Sequence, residues 1–250
     1  MKHQEIYDKS NLVARLFRKG QYNKALPIAI QLRDNAFSDF SENNLEYAEI
    51  LMLLGSVYQG MGNYIDAEPI FHKALEIIRK APPEKDNLLY RRIINNIGGL
   101  YQEMRNDKPA LSFFKQALEL ERRIGENHSE FARALNNLAL QYYYMGYYAK
   151  AEPRFLQARK ILLSVSPEED TSFLHSILNN LALLYKEQGK VDDTETLLLK
   201  SLEVRKEKAG EEHTDTATGY NNLALYYQDQ GRHDEAESFY LKAVEIREKK

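Results

Sequence analysis

Apolar and small residues recur along this chain at the spacing of one face of an α-helix. A representative set at positions i, i+3, i+4 and i+7 is Ile94, Ile97, Gly98 and Tyr101. This spacing is the buried stripe of an amphipathic helix, because residues three and four apart lie on the same face. Equivalent stripes alternate with short polar segments, which are typical of turns. The pattern therefore predicts an all-α chain of amphipathic helices.

The small residue of this stripe returns at nearly constant spacing and serves as a register marker. The five markers are Gly55, Gly98, Ala139, Ala182 and Ala224, and their spacings are 43, 41, 43 and 42 residues. A tyrosine follows each marker by three residues, and an eroded copy with Val13 at the marker position precedes them all by 42 residues. Repetition at this period indicates a stack of similar units, each too small to bury its apolar face alone.

Glycine follows four of the markers by seven residues, at Gly62, Gly146, Gly189 and Gly231. Helices often end with a residue in the left-handed conformation, which glycine adopts at little cost. In the third repeat Arg105 occupies this position and Asn106 follows it. Since asparagine is the next most tolerant residue, we expect a shifted cap at Asn106 and an irregular turn there.

The fullest copies of the repeat are NNLALLYKEQGKVDDTETLLLKSLEVRKEKAGEEHTDTATGY, residues 179–220, and NNLALYYQDQGRHDEAESFYLKAVEIREK, residues 221–249. They resemble the tetratricopeptide repeat, in the long form of about 42 residues found in kinesin light chains. The resemblance implies a right-handed α-solenoid of about six helix-turn-helix units. We expect a single solenoid over residues 1–250, with an atypical capping unit at 1–46 and five regular units at 47–250.

A pair of asparagines precedes four of the markers, in the middle of a helix, where asparagine is a poor helix former. The second members of these pairs are Asn96, Asn137, Asn180 and Asn222. In peptide-binding tetratricopeptide proteins, related asparagines bond the backbone of an extended peptide, and the resemblance implies that role here. The alternative is that the amides bond neighbouring repeats or the local backbone.

Two arginines and two tyrosines are further candidates to contact a ligand on the same surface. Arg92 and Arg133 lie one turn from the asparagines, where a guanidinium could pair with a carboxylate in bidentate fashion. The alternative is solvated charge, or a pair with Glu103 or Glu130. Tyr143 and Tyr144 belong to the densest aromatic cluster, so they either hold a ligand side chain or pack against the next repeat.

Composition narrows the classes of function. The net charge is −3, so a nucleic acid is not the expected partner, and no apolar stretch is long enough for a membrane span. The chain has no cysteine, which excludes disulfides and thiolate sites and fits a cytoplasmic protein. The sequence contains no phosphate-binding loop, nucleophile elbow, dinucleotide fingerprint or zinc motif, so we expect neither an enzyme nor a cofactor.

These observations favour a scaffold that recognises a protein or an extended peptide in a concave groove. The alternative is an N-terminal sensor or docking segment of a larger signalling protein, whose separate effector domain would be, for example, a caspase-like protease. The sequence stops directly after a full second helix, whose apolar residues include Phe239, Ala243 and Ile246. We therefore expect either a longer native chain or self-association through this C-terminal face.

Overall fold

The structure, a computed structural model, describes residues 3–39, 44–80, 88–165 and 173–249. In these ranges the chain forms twelve α-helices and no strand, which confirms the all-α prediction. Each helix is between 14 and 19 residues long. Helices of this length agree with the long repeat period, because two of them and their connections fill about 42 residues.

The first compact unit spans residues 1–124, and its helices pair into three helical hairpins. The helices are α1 (His3–Arg18), α2 (Tyr22–Asp39), α3 (Leu45–Gly60), α4 (Tyr64–Lys80), α5 (Leu88–Glu103) and α6 (Asp107–Ile124). In the first hairpin Val13 is fully buried at the marker position, and Gly20 turns the chain with a φ of 67°. The eroded copy therefore builds the same hairpin as the regular repeats.

The second compact unit spans residues 125–250 and contains three further hairpins. Its helices are α7 (Ser129–Tyr144), α8 (Tyr148–Ser164), α9 (Leu174–Glu187), α10 (Val191–Ala209), α11 (Thr214–Asp229) and α12 (His233–Glu248). Two histidines at matching positions cap first helices of this unit. His128 Nδ1 accepts the N–H of Phe131 at 3.2 Å, and His213 Nδ1 accepts that of Asp215 at 3.2 Å. These bonds satisfy backbone donors that the first turn of a helix leaves unpaired.

The turn of the third repeat differs from the prediction. Arg105 itself adopts the left-handed conformation, with a φ of 56°. Its N–H donates to the carbonyl of Gln102 at 3.0 Å, and the N–H of Asn106 donates to the carbonyl of Tyr101 at 2.8 Å. The glycine turn at Gly62 is closed by the same pair of bonds. The expected shift of the cap to Asn106 is therefore wrong, because closing the turn requires the residue before it to be left-handed.

Small residues at the markers allow the two helices of a hairpin to pack closely, as the pattern predicts. A Cβ atom on Gly98 would lie 2.8 Å from the ring of Phe114, and one on Gly55 would lie 2.9 Å from the ring of Phe71. Both phenylalanines are buried. The spacing of these two hairpins is therefore set by an aromatic ring packed directly on helix backbone.

Within each unit, the first helices of successive hairpins approach one another more closely than the second helices do. Contacts join α1 to α3, α3 to α5 and α7 to α9, whereas no two second helices are in contact in the described parts of the chain. The surface formed by first helices is therefore the more tightly spaced face of each unit. This is the face on which the predicted asparagines lie.

Candidate functional site

The asparagine pairs of the second unit bond one another from repeat to repeat. Asn180 Nδ2 donates to Asn136 Oδ1 at 3.0 Å, and Asn222 Nδ2 donates to Asn179 Oδ1 at 2.7 Å. The second asparagine of one repeat thus donates to the first asparagine of the repeat before it. Asn180 and Asn222 form no other hydrogen bond to residues that the structure describes. Each therefore keeps its own carbonyl oxygen and one N–H for a further partner.

The other two candidate asparagines also bond neighbouring side chains. Asn137 Oδ1 accepts from Asn136 Nδ2 at 3.3 Å, within the same pair. In the first unit Asn96 Nδ2 donates to Ser56 Oγ of the preceding repeat at 3.4 Å. Of the two interpretations of these amides, bonding between repeats is therefore observed at three of the four positions. Contact with a ligand remains a prediction, which the remaining acceptor and donor of Asn96, Asn180 and Asn222 still allow.

A pocket of about 240 Å³ lies between α9 and α11, directly beside these amides. Asn179 and Asn222 contribute polar atoms to it, as do Lys186, Thr194 and Tyr226. Leu183 and Leu225, which lie one turn after the asparagines on the first helices, and Leu198 of α10 contribute apolar walls. Leu183 and Leu225 are exposed although they are large and apolar. The pocket combines bonding groups with an apolar wall, which is the usual composition of a ligand site.

The two candidate arginines have different surroundings. Arg92, in the first unit, is largely exposed and lies 3.9 Å from a carboxylate oxygen of Glu49. Arg133, in the second unit, donates through Nε to Glu130 at 3.2 Å, the alternative partner considered above. Its guanidinium also stacks on the ring of Phe173, with 4.0 Å from Cζ to the ring centroid. Arg133 is therefore held by protein groups, whereas Arg92 is the better exposed of the two.

The candidate tyrosines lie at the C-terminal end of α7. Tyr143 is half-buried, and its ring centroid lies 5.6 Å from that of Tyr144 and 5.6 Å from that of Tyr148. Tyr144 is about half exposed, whereas Tyr142 belongs to the core, as its register predicts. The structure therefore brings both candidate tyrosines into one partly exposed aromatic cluster.

Another recurrent contact joins repeats and is absent from the sequence-based predictions. Tyr101 Oη donates to Glu68 of the preceding repeat at 2.6 Å, and Tyr227 Oη donates to Glu195 at 2.8 Å. Burial, and then the bonded carboxylate, raise the pKa of each tyrosine to about 12. Both glutamates stand thirteen residues after their own marker. The signal in the sequence is therefore a glutamate thirteen residues after one marker, combined with a tyrosine three residues after the next marker.

Two other kinds of site are absent from the described residues. No helix there combines the length and apolar character required to cross a membrane. No group of three or more histidine, aspartate or glutamate side chains there has the geometry to hold a metal ion.

Comparison with protein families identifies the repeat. The model described as tetratricopeptide repeat matches residues 46–123 and 173–249, which together make up more than half of the chain. The chain therefore belongs to the tetratricopeptide repeat family. A comparison with curated protein sequences found no match.

Solved structures with the same fold include BtubC and two Rap proteins. BtubC (BKLC) from P. vanneervenii is 20% identical with a TM-score of 0.66, and the match covers 97% of this chain and 91% of that one. A Rap protein complexed with Competence and Sporulation Factor is 18% identical with a TM-score of 0.76, covering 100% and 76%. The apo form of RapI is 17% identical with a TM-score of 0.66, covering 98% of each chain. These similarities establish an all-α repeat solenoid.

Proposed function

We propose that this tetratricopeptide repeat protein is a scaffold that binds an extended segment of a partner protein on its first-helix surface. The observation that carries the proposal is the pocket between α9 and α11, where asparagine amides and exposed leucines line one space. An amide offers a donor and an acceptor, so it pairs with the backbone of any extended peptide. The leucines would receive an apolar side chain of that peptide.

The hydrogen bonds between asparagine amides of neighbouring repeats also support this proposal. The bond from Asn180 to Asn136 and that from Asn222 to Asn179 hold the donor side chains in fixed rotamers. A fixed amide loses less conformational entropy when it binds than a freely rotating one. The bonds between repeats therefore preorganise the remaining donor and acceptor for a ligand.

The energies indicate that these groups alone give weak binding. Three amides at about 1 kcal/mol each contribute about 3 kcal/mol, and one buried leucine-sized side chain contributes about 2 kcal/mol. A micromolar dissociation constant corresponds to about 8 kcal/mol. A ligand of useful affinity therefore needs at least one more anchoring contact on the same surface.

The Rap protein of similar fold was solved in complex with Competence and Sporulation Factor, so this fold has a member that carries a bound partner. The proposal for the present chain rests on its own pocket and amides. It places the contacts on Asn137, Asn180 and Asn222, with Tyr143 and Tyr144 at one end. In the first unit, Asn96 and Arg92 are the corresponding candidates.

Selection from a random peptide library displayed on phage, with the full chain as bait, tests the proposal. A selected peptide is then synthesised and titrated by calorimetry against the parent protein and Leu225→Asp. We expect the substitution to weaken binding roughly tenfold or more, since it removes about 1.5 kcal/mol or more of apolar contact. Leu199→Asp on α10 is the matched control, because Leu199 is 43% exposed and Leu225 is 47% exposed.

The control must bind like the parent, and both variants must keep the parent's circular dichroism spectrum. Failure to enrich any peptide would contradict the proposal. Equal losses of affinity in Leu225→Asp and Leu199→Asp would do so too, because binding would then not depend on the pocket.

A further inference from the structure

In the aromatic cluster at the end of α7, the ring of Tyr143 contacts the rings of Tyr144 and Tyr148. The planes of Tyr143 and Tyr144 meet at 62° and those of Tyr143 and Tyr148 at 32°, with both centroid distances at 5.6 Å. The rings are only partly buried. The cluster is therefore partly accessible to solvent, and Tyr144 is its most exposed member. An aromatic face carries partial negative charge and attracts a cation.

A carboxylate that forms no ion pair with a described residue accompanies this cluster. Glu187 is the last residue of α9 and is exposed. It stands five residues after its marker, the register position that Tyr144 occupies on the contacting helix α7. Among the described residues no side chain forms an ion pair with Glu187. Burial raises the pKa of Tyr143, and the negative charge of Glu187 raises it further, in agreement with their proximity.

Neighbouring aromatic rings and carboxylates of the second unit, in contrast, interact with lysine or arginine side chains of the protein itself. Arg154 lies over the ring of Tyr142 at 4.9 Å, and Lys150 lies over that of Tyr147 at 4.9 Å. Asp229, at the register position of Glu187 in the next repeat, pairs with Lys186. In the described part of the chain, no lysine or arginine stacks on Tyr143 or Tyr148. Among the described residues, Glu187 thus lies near the rings of Tyr143 and Tyr148, and none of these three groups pairs with a lysine or arginine of the protein.

We propose that Tyr143, Tyr144, Tyr148 and Glu187 form a subsite for a lysine or arginine side chain of the bound peptide. The inference rests on the proposed function and supplies its missing anchor. Aromatic faces attract the cationic head while the carboxylate neutralises its charge. The aliphatic stem of the basic residue would lie along the rings. The ligand is thus an extended segment with a basic residue at one end of the surface and an apolar residue at the leucine pocket.

Binding of small probes tests the subsite directly. Tyrosine side-chain resonances of the full chain are followed by NMR during titration with Nα-acetyl-arginine N-methylamide. The matched probes are the norleucine and glutamate N-methylamides, which lack the charge or reverse it. We expect saturable shifts at Tyr143, Tyr144 and Tyr148 with the arginine probe alone. Glu187→Gln should weaken its binding roughly fivefold, whereas Glu203→Gln, on an exposed part of α10, should leave it unchanged.

Equal shifts with the norleucine probe, or an unchanged affinity in Glu187→Gln, would overturn the subsite. Because Glu187 is exposed and forms no ion pair with described residues, Glu187→Gln is expected to fold like the parent. The display experiment separates this inference from the function beneath it. Selected peptides that depend on Leu225 but lack basic residues would retain the scaffold and reject the subsite. If the arginine probe binds but no peptide can be selected, the subsite is retained and the peptide-binding scaffold is rejected.

Discussion

At the scale of single residues, the asparagine pairs show how one side chain serves two purposes. An amide has two N–H groups and a carbonyl oxygen, and the bond between repeats uses one N–H of Asn180 and the oxygen of Asn136. The pairing explains why two adjacent asparagines recur in helices, where their intrinsic propensity is poor. One member accepts from the following repeat, and the other donates to the preceding one. The propensity lost within the helix is offset by a bond between helices.

This arrangement predicts a difference between asparagines that look alike in the sequence. Asn180→Ala should lower the free energy of unfolding by about 1 kcal/mol, since it removes a bond and leaves the oxygen of Asn136 with fewer donors. Asn221→Ala should change it by less than about 0.5 kcal/mol, because Asn221 forms no hydrogen bond to described residues. Urea unfolding followed by circular dichroism measures both. Equal effects would mean that the bond between repeats contributes nothing to stability.

Arg105 adopts a backbone conformation that is unfavourable for a residue with a Cβ atom. A side chain with a Cβ in the left-handed region costs about 1 kcal/mol relative to glycine. Because Arg105 has a φ of 56° in a turn that otherwise uses glycine, Arg105→Gly should stabilise the protein by about 1 kcal/mol. Thermal unfolding gives the sign directly. The reciprocal change Gly62→Arg, at a φ of 74°, should destabilise by a similar amount, and stabilisation by that change would contradict the explanation.

At the scale of helices, the hairpins of the regular repeats combine a small residue at the marker with a large one on the second helix. Gly98 faces Phe114, and in the fifth repeat Ala182 stands at the marker with Leu198 at the position of the phenylalanine. The two combinations fill the space between helices with complementary sizes. Interaxial distance follows from the side chains at the contact.

Gly98→Ala is therefore expected to destabilise the protein, although alanine is the better helix former by about 1 kcal/mol. The added methyl group would meet the buried Phe114 ring at 2.8 Å, and overpacking of this kind costs about 1–3 kcal/mol. In a Phe114→Leu background the same change should be neutral or stabilising. A double-mutant cycle from urea unfolding provides the coupling energy, and additive effects would show that the ring and the glycine do not interact. The fourth repeat combines Ala139 with Phe155, so the cost depends on the spacing of each hairpin.

The tyrosine–glutamate bonds join neighbouring repeats and should make stability fall at alkaline pH. The pKa values of Tyr101 and Tyr227 are raised from 10 in the unfolded chain to about 12. A raised pKa means that the folded state holds the proton more tightly, so stability is complete below about pH 10 and is lost as pH rises towards 12. The double variant Tyr101→Phe/Tyr227→Phe should lose less stability across this window.

Urea unfolding at a series of pH values compares the two proteins. Below about pH 9 the variant should be less stable by about 1 kcal/mol for each lost bond. Tyr7→Phe, which changes a well exposed tyrosine, is the control and should follow the parent. Parallel curves for the parent and the double variant above pH 10 would contradict the assignment.

The sequence predicts the helices better than it predicts the contacts between them. The spacing of small residues was sufficient for the hairpins, and glycine positions were sufficient for four of the turns, because backbone geometry restricts the residue type there. The conformation of Arg105 was not predicted, because the turn requires a left-handed residue at this position even when the residue there disfavours that conformation. The tyrosine–glutamate pairs were not predicted either, because a polar residue on a helix has many possible partners. Only the packing of the repeats determines which partner it contacts.

At the scale of the whole molecule, the candidate site depends on repetition more than on any unusual residue. Repeated first helices bring amides, exposed leucines and a tyrosine–carboxylate cluster onto one surface of the second unit. A solenoid of this kind gains binding area by adding repeats. Under the proposed function, specificity comes from positions where one repeat departs from the others. One such position is Tyr144, which stands where the third and fifth repeats have Glu103 and Glu187.

The helix α12 presents a second apolar surface and predicts weak self-association. It packs only against α11 in the described chain, and Ala243 and Ile246, which the sequence placed on the uncovered face, are buried. The exposed apolar residues of α12 are instead Leu241 (62%) and Val244 (48%), beside Tyr240. Two such surfaces would each remove apolar area from water on contact, in the symmetric arrangement common to dimers. Sedimentation velocity should show a reversible dimer at protein concentrations approaching about 1 mM, the range expected for a binding energy of about 4 kcal/mol. Leu241→Glu with Val244→Glu should abolish it by bringing carboxylates together, whereas Leu199→Glu on α10 should not. A parent protein that stays monomeric throughout this range would show that the surface is too small to associate with itself.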